Sequence, residues 1–281
     1  MKIGIQHVLA AEEDSPGGGL MKAWNNLLRR NIDLVKAEDT EITFHTPKWG
    51  LTGLDPFFYT YLHRLNDSET LHGLIQIEKS GFDVAWVMCW FDPVLREARQ
   101  ALDIPVVGPA ESSMLLAMAM GAKFGIVTIS PEAAYDMEEE VLRYGFKERS
   151  VRIRPIPATA EEQLVGLTDA HHEIECFKEV AKELIADGAE ILIPGCTLMG
   201  PVLRLAPGAE DKYPNGLTEV DGVPVMDVIG ATVKMAEVLY QFKKAGSTWI
   251  SRKGFYARPS SQALEMAEMV LKYDRAGFWT D

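Results

Sequence analysis

The sequence predicts an α/β fold of two pseudo-symmetric doubly wound lobes, each built on a small parallel sheet, with an active-site cleft between them. Three observations predict it. Short apolar runs alternate with longer segments of helical periodicity, the pattern of parallel strands joined by helices. Four short words recur in the same order in both halves: KIGI at 2–5 and KFGI at 123–126, VMC at 87–89 and PGC at 194–196, PVLR at 93–96 and 201–204, DIPVVG at 103–108 and DGVPVMD at 221–227. Their offsets of 121, 107, 108 and 119 residues describe a duplicated strand–helix unit rather than one repeated word. Finally, two of the three cysteines, Cys89 and Cys196, hold equivalent places, each just after an apolar run.

The elements follow in chain order. KIGIQ (2–6) is the first strand. The glycines of SPGGGLMKAW (15–24) read as a mobile loop at the cleft, leading into a helix over 19–34. They lack both the Lys-Ser/Thr of a phosphate cradle and the dinucleotide spacing, so no nucleotide is assigned. TEITFH (40–45) is a strand and a helix covers 59–80. DVAWVM (83–88) is a buried strand that delivers Cys89, and helices over 92–102 and 111–120 flank the strand PVV (105–107). FGIVTI (124–129) opens the second series; Ser130 is placed to cap a helix over 131–144 that has Pro131 at its first position. A strand over 151–156, a helix over 160–187, the strand EILIP (190–194) before Cys196, a strand over 224–226 and helices over 229–244 and 260–274 complete the chain. The lobes are then residues 1–117 with the C-terminal helices of 228–281, carrying Cys89, and residues 118–227, carrying Cys196.

Composition narrows the partners. At 281 residues, 47% hydrophobic and 25% charged, the chain has the make-up of a globular protein. A formal charge of −13 with no Lys/Arg cluster argues against nucleic acid, and no run approaches the roughly 20 apolar residues that cross a bilayer. MKIGIQHVLAAEEDS turns acidic too early for a secretion signal, so a cytoplasmic location is expected, where the cysteines stay thiols. The expected partner is a small molecule, and a symmetric homo-oligomer is the base-rate assembly.

In open α/β sheets ligands bind outside the carboxyl ends of the strands. Two duplicated lobes therefore bring Cys89 and Cys196 to opposite walls of one cleft. Inverting a stereocentre needs a base on one face of the carbon and an acid on the other, and two thiols serve, one as thiolate and one as thiol. A lone cysteine ending a strand is more often core than catalyst. Equivalent placement in both halves is what favours chemistry here. Cys176 has no counterpart and reads as core; His172 and Cys176 stand four apart on a helix face, but two ligands do not make a metal site, so no metal is expected. Free amides where the second series begins, at Thr128 and Ser130, are candidates to hold a carbonyl or carboxylate, as is the mirrored stretch Gln6-His7. Glu111, Asp92 and Asp227 read as helix-terminal acids. Trp49, Phe57, Phe58 and Trp90 mark either a pocket or the packing between lobes.

The blocks CWFDPVLREARQALDIPVVGPAE (89–111), GAKFGIVTIS (121–130), ILIPGCTLMG (191–200), VPVMDVIGATVKMAE (223–237) and STWISRKGFYARP (247–259) resemble the aspartate/glutamate/hydantoin racemase superfamily, and above all its hydantoin racemase branch. The resemblance implies a cofactor-independent racemase or epimerase in which Cys89 and Cys196 exchange proton-donor and proton-acceptor roles, with Trp90 and Thr197 beside the substrate. In the amino-acid racemases the first cysteine precedes Asn-Thr; here Trp90, Phe91 and Asp92 follow it, which fits a cyclic substrate such as a 5-substituted hydantoin or allantoin. Where hydantoin racemases carry Asn-Pro-Asn after the first strand, this chain has Gln6-His7-Val8. Maleate isomerase-like and arylmalonate decarboxylase-like enzymes share the superfamily's cleft, and a non-catalytic binding protein is the remaining alternative.

Overall fold

The computed structural model describes residues 1–10, 16–53 and 59–271. Phe57, Phe58, Ser15 and the end of the predicted 260–274 helix lie outside the described residues. Two parallel sheets carry the molecule. In the first, β1 (Lys2–His7) lies between β2 (Glu41–His45) and β3 (Val84–Met88), with β4 (Val106–Val107) beyond β3. In the second, β5 (Phe124–Thr128) lies between β6 (Ser150–Pro155) and β7 (Ile191–Pro194). Strand order is thus the same in both, β5, β6 and β7 standing for β1, β2 and β3. Every residue of β3, β5 and β7 is buried, which is why these strands read as continuous apolar runs.

The second sheet departs from the first at its fourth strand. A strand was predicted over 224–226; instead β8 (Glu219–Val220) and β9 (Val223–Pro224) form an antiparallel hairpin, and only Val225 continues beside β7, through a parallel bridge to Leu192. Asp221 and Gly222, at φ 49° and 80°, make the two-residue turn with the left-handed backbone that such hairpins require.

Helices cover the sheets. They are α1 (Pro16–Asp33), α2 (Thr60–Lys79), α3 (Leu95–Ala101), α4 (Pro109–Met120), α5 (Pro131–Arg143), α6 (Ala160–Val165), α7 (His171–Ala186), α8 (Met199–Leu205), α9 (Ala209–Lys212), α10 (Val228–Lys244) and α11 (Ser261–Leu271). Three differ from expectation. The glycine run read as a loop is helical, Pro16 opening α1 with Gly17 to Gly19 behind it. The helix predicted over 160–187 is two: α6 has a Thr159–Glu162 capping box, and the chain breaks at Gly166, where a Cβ would lie 2.1 Å from Glu173 Oε2. The short helix α8, which contains Gly200 and Pro201, was not foreseen. Among the described residues no helix is long and apolar enough to cross a membrane.

Helix α10 packs on α4 and β4, and α1 packs on both α8 and α10. Asn31 of α1 donates to Asp227, which also caps α10 by accepting from Gly230 N at 2.9 Å and pairs with Arg204 of α8. Asp227 is the helix cap expected from sequence, with two added partners.

Candidate active site

Cys89 follows β3 directly and Cys196 stands two residues past β7. Gly195 lets the second cysteine's loop lie flat on β5: a Cβ there would sit 2.8 Å from Ile126 Cγ2 and 3.1 Å from Val127 O. After Cys89 the chain turns sharply through Asp92 and Val94, at φ 46° and 52°. A β-branched residue seldom adopts that conformation, so strain is concentrated beside the first cysteine. Asp92 anchors the turn. Its carboxylate accepts from Ala110 N at 3.1 Å, Glu111 N at 2.9 Å and the Tyr144 hydroxyl at 2.9 Å, capping α4 and reaching the other lobe. Burial, only partly offset by these donors, pushes its carboxyl up to about 7.

Both cysteines line one cavity of about 40 Å³, walled by Trp24, Met88, Trp90, Phe91, Ile129, Thr197 and Leu198 among others. One water needs roughly 10–15 Å³ by this measure, so the cavity holds a few waters and no ring. The two lobes are closed on each other. Trp24 of α1 donates its indole N–H to Thr197 O at 3.3 Å across the closure.

The sulfurs differ. Burial pushes the Cys89 thiol well up; the Phe91 amide opposes this, while Cys196, Asp92 and Asp67 add to it. Burial pushes Cys196 up to about 11, opposed by the amides of Met199 and Leu198, the latter donating to Sγ at 3.3 Å; Glu173 adds to the rise. Both are thiols at neutral pH in the closed form.

The other expected residues are placed as follows. Trp90 and Thr197 line the cavity; the Trp90 indole N–H is buried with no hydrogen-bond partner among the described residues. Gln6 turns away, donating to His7 O at 2.9 Å, and packs where α2 has Gly73. His7 lies behind the wall, edge-on to Trp24 at 5.1 Å and bonded through Nε2 to Asn25 Oδ1 at 2.7 Å; burial lowers its imidazole to about 4, so it is neutral. Thr128 holds the matching place at the end of β5. His7 Nδ1 and Thr128 Oγ1 are both buried and without partners among the described residues. Ser130 accepts from Ala133 N at 3.1 Å and caps α5, as its position predicted. Glu111 pairs with Arg99, and Cys176 is buried in α7 with Sγ 3.6 Å from His172 Nε2.

Sequence reasoning missed Trp24, Tyr144 and Glu173. The first two sit on or beside helices whose apolar periodicity looks like ordinary core. Glu173 belongs to a charge-rich stretch, HHEIE, that looks like a solvated face, yet it is 2% exposed, its carboxyl has no partner among the described residues, and burial pushes it up to about 8.

Over residues 26–236 the chain matches the family model described as Asp/Glu/Hydantoin racemase. It is 31% identical over 218 residues to the hydantoin racemase of Pseudomonas sp. (strain NS671), a match covering 74% of this chain and 78% of that one. It is 30% identical over 189 residues to the hydantoin racemase of Paenarthrobacter aurescens, covering 63% and 73%. Among solved structures, allantoin racemase from Klebsiella pneumoniae is similar with a TM-score of 0.71 at 20% identity, over 93% of this chain and 94% of that one. At that identity the likeness is one of fold.

Proposed function

Because the chain belongs to the Asp/Glu/hydantoin racemase family, we propose that it inverts carbon 5 of 5-substituted hydantoins, allantoin-like ones included, by proton transfer between two thiols and without a cofactor. The observation that carries this reading is the shared cavity: Cys89 from one lobe and Cys196 from the other line the same small apolar space. The lobes in this reading are residues 1–117 with the C-terminal helices of 228–281, and residues 118–227; the packing of α10 on α4 and β4 supports it.

Carbon 5 of a hydantoin is made acidic by the adjacent carbonyl. One sulfur, as thiolate, takes its proton, and the electron pair moves into that carbonyl as an enolate. The opposite thiol then delivers its proton to the other face, leaving the first sulfur protonated and the second as thiolate. A proton returned from the side it left regenerates the starting isomer, so inversion requires both sulfurs. The amides of Leu198 and Met199 support a thiolate at Cys196, and that of Phe91 at Cys89. Trp90 and Thr197 contact the ring; Gln6, His7, Thr128 and Ser130 act from behind the wall, on the strand ends that carry it. An apolar, nearly dry cavity strengthens each charge–dipole contact made there. A cytoplasmic setting, in which the cysteines stay thiols, and a symmetric homo-oligomer, the base-rate assembly, remain the expectation.

The test is proton NMR in D2O with enantiopure 5-substituted hydantoins. The wild type should erase the carbon-5 proton signal of either enantiomer. Cys89→Ser and Cys196→Ser should each abolish inversion, by roughly 10³-fold or more as expected for loss of an acid–base group, with residual exchange restricted to one enantiomer. Inversion that survives either substitution sinks the two-thiol mechanism.

A further inference from the structure

A larger cavity, of about 400 Å³, opens beside the thiol cavity between α2, the turn after Cys89 and α5, and Phe91 is a wall common to both. In the closed form the thiol cavity admits no ring, so the lobes must part to seat one between the sulfurs; the space that adjoins that position across Phe91 is where a chain leaving carbon 5 would run. Phe91 rests edge-on against His63 at 5.1 Å and is the side chain that separates the two spaces.

The lining is charged and unbalanced, with six carboxylates against three guanidinium groups. Two of the guanidiniums are in ion pairs. Arg64 pairs with Asp67 at 3.0 Å and Arg143 pairs with Glu140. Arg96 donates to Arg143 O at 3.2 Å and lies over the rings of Tyr144 and Phe255. Glu97, Asp136 and Glu139 have no cationic partner among the described residues, Asp136 accepting only the Thr60 hydroxyl at 2.8 Å. Glu140 is 3% exposed, and its Oε1 is buried without a hydrogen bond among the described residues. A buried acceptor left without a donor is unfavourable, and a donor-rich ligand that reaches this wall relieves it. The inner carboxylates Asp67 and Asp92 also oppose ionisation of Cys89, so positive charge held in this cavity favours the thiolate that the reaction needs.

Resting on the racemase reading for the position of the ring, we propose that this cavity is the subsite for the carbon-5 substituent and that it selects cationic substituents of the guanidinium or ammonium type. Against an anionic substituent stand six acids, with Arg96 the one lining guanidinium outside an ion pair among the described residues.

The experiment compares kcat/KM for racemisation of three hydantoins, 5-(3-guanidinopropyl), 5-butyl and 5-(2-carboxyethyl), in the wild type and in the double variant Glu97→Lys/Glu139→Lys, both exposed positions where folding is not at issue. The wild type should prefer the guanidinopropyl over the carboxyethyl compound by roughly tenfold at low ionic strength, the scale of a few exposed charge contacts. The double variant should reverse the order, and salt should weaken both preferences. Equal rates in the wild type, or an order the double variant leaves intact, overturn the proposal. If the wild type racemises none of the three, it is the racemase reading that has failed. Calorimetric titration with butylguanidinium chloride then decides the subsite: binding to the wild type that the double variant loses supports it, and no binding to the wild type overturns it.

Discussion

Cys196 and Cys89 differ in the donors their sulfurs meet, and that difference sets which ionises first. Cys196 has two amides and is pushed up to about 11, whereas Cys89 has one amide and the carboxyl groups of Asp92 and Asp67 opposing its charge. The thiolate therefore forms first at Cys196. Since the reactive form is the deprotonated one and its pKa is raised, kcat/KM should climb with pH through the range above 9 instead of levelling near neutrality, as a pH–rate profile on 5-butylhydantoin will show. Glu173 offers a separate test through stability. Its folded carboxyl holds a proton up to about 8, while the unfolded one releases it near 4.5. Between those values the folded state carries one more proton, so stability falls as pH rises. Glu173→Gln removes this dependence: its stability relative to wild type should rise by about 1.4 kcal/mol per pH unit from 4.5 to 8, read from urea unfolding across that range. A difference that does not change with pH would mean that Glu173 is ionised in the folded protein.

The elements legible in the sequence are those whose burial is complete. β3, β5 and β7 announce themselves because no residue in them faces water, and the two cysteines were found because the repeats mark the same strand ends in both halves. The word PVLR, however, has two structural meanings. At 93–96 it holds the left-handed Val94 that precedes α3, while at 201–204 it lies inside α8. One-dimensional likeness could not separate a strained turn from a helical turn, since tertiary contacts, among them Asp92 on α4, decide which forms. The break at Gly166 and the hairpin at Asp221-Gly222 were likewise decided by local packing and turn chemistry that an apolar pattern does not register. At this scale the critical glycine is Gly195. Gly195→Ala places a methyl group against Ile126 and Val127 O and must lift the loop off β5. A loss of about 1–3 kcal/mol in stability is expected, the usual cost of overpacking, together with a fall in kcat larger than that in 1/KM, because Cys196 moves with the loop. Unchanged kinetics with normal folding would show that the loop tolerates displacement.

For the whole molecule, the closed form is held by polar links between the halves, among them Trp24 to Thr197, Asn31 to Asp227, Tyr144 to Asp92, Thr60 to Asp136, Arg96 to Arg143 O and Arg30 to Leu205 O. None was legible in the sequence, because each joins residues from distant elements whose pairing only the assembled lobes create. Tyr144→Phe removes the link nearest the first cysteine's turn and leaves Asp92 with its two amides. It should cost about 1–3 kcal/mol, as for a hydrogen bond to a buried carboxyl, and should speed alkylation of Cys89 by iodoacetamide as the lobes open more often; an unchanged alkylation rate would show that this bond does not govern closure. The lobes must part to admit the ring, and once they close over it the chamber around the two sulfurs works as an airlock for hydrogen isotopes. During one closure the carbanion can draw on just two hydrons, the one it has lost and the one waiting opposite, because solvent exchanges with the sulfurs only when the lobes part. Early in a reaction in D2O, the inverted enantiomer should therefore carry deuterium while the unreacted enantiomer, separated and weighed by mass spectrometry, is still fully protiated.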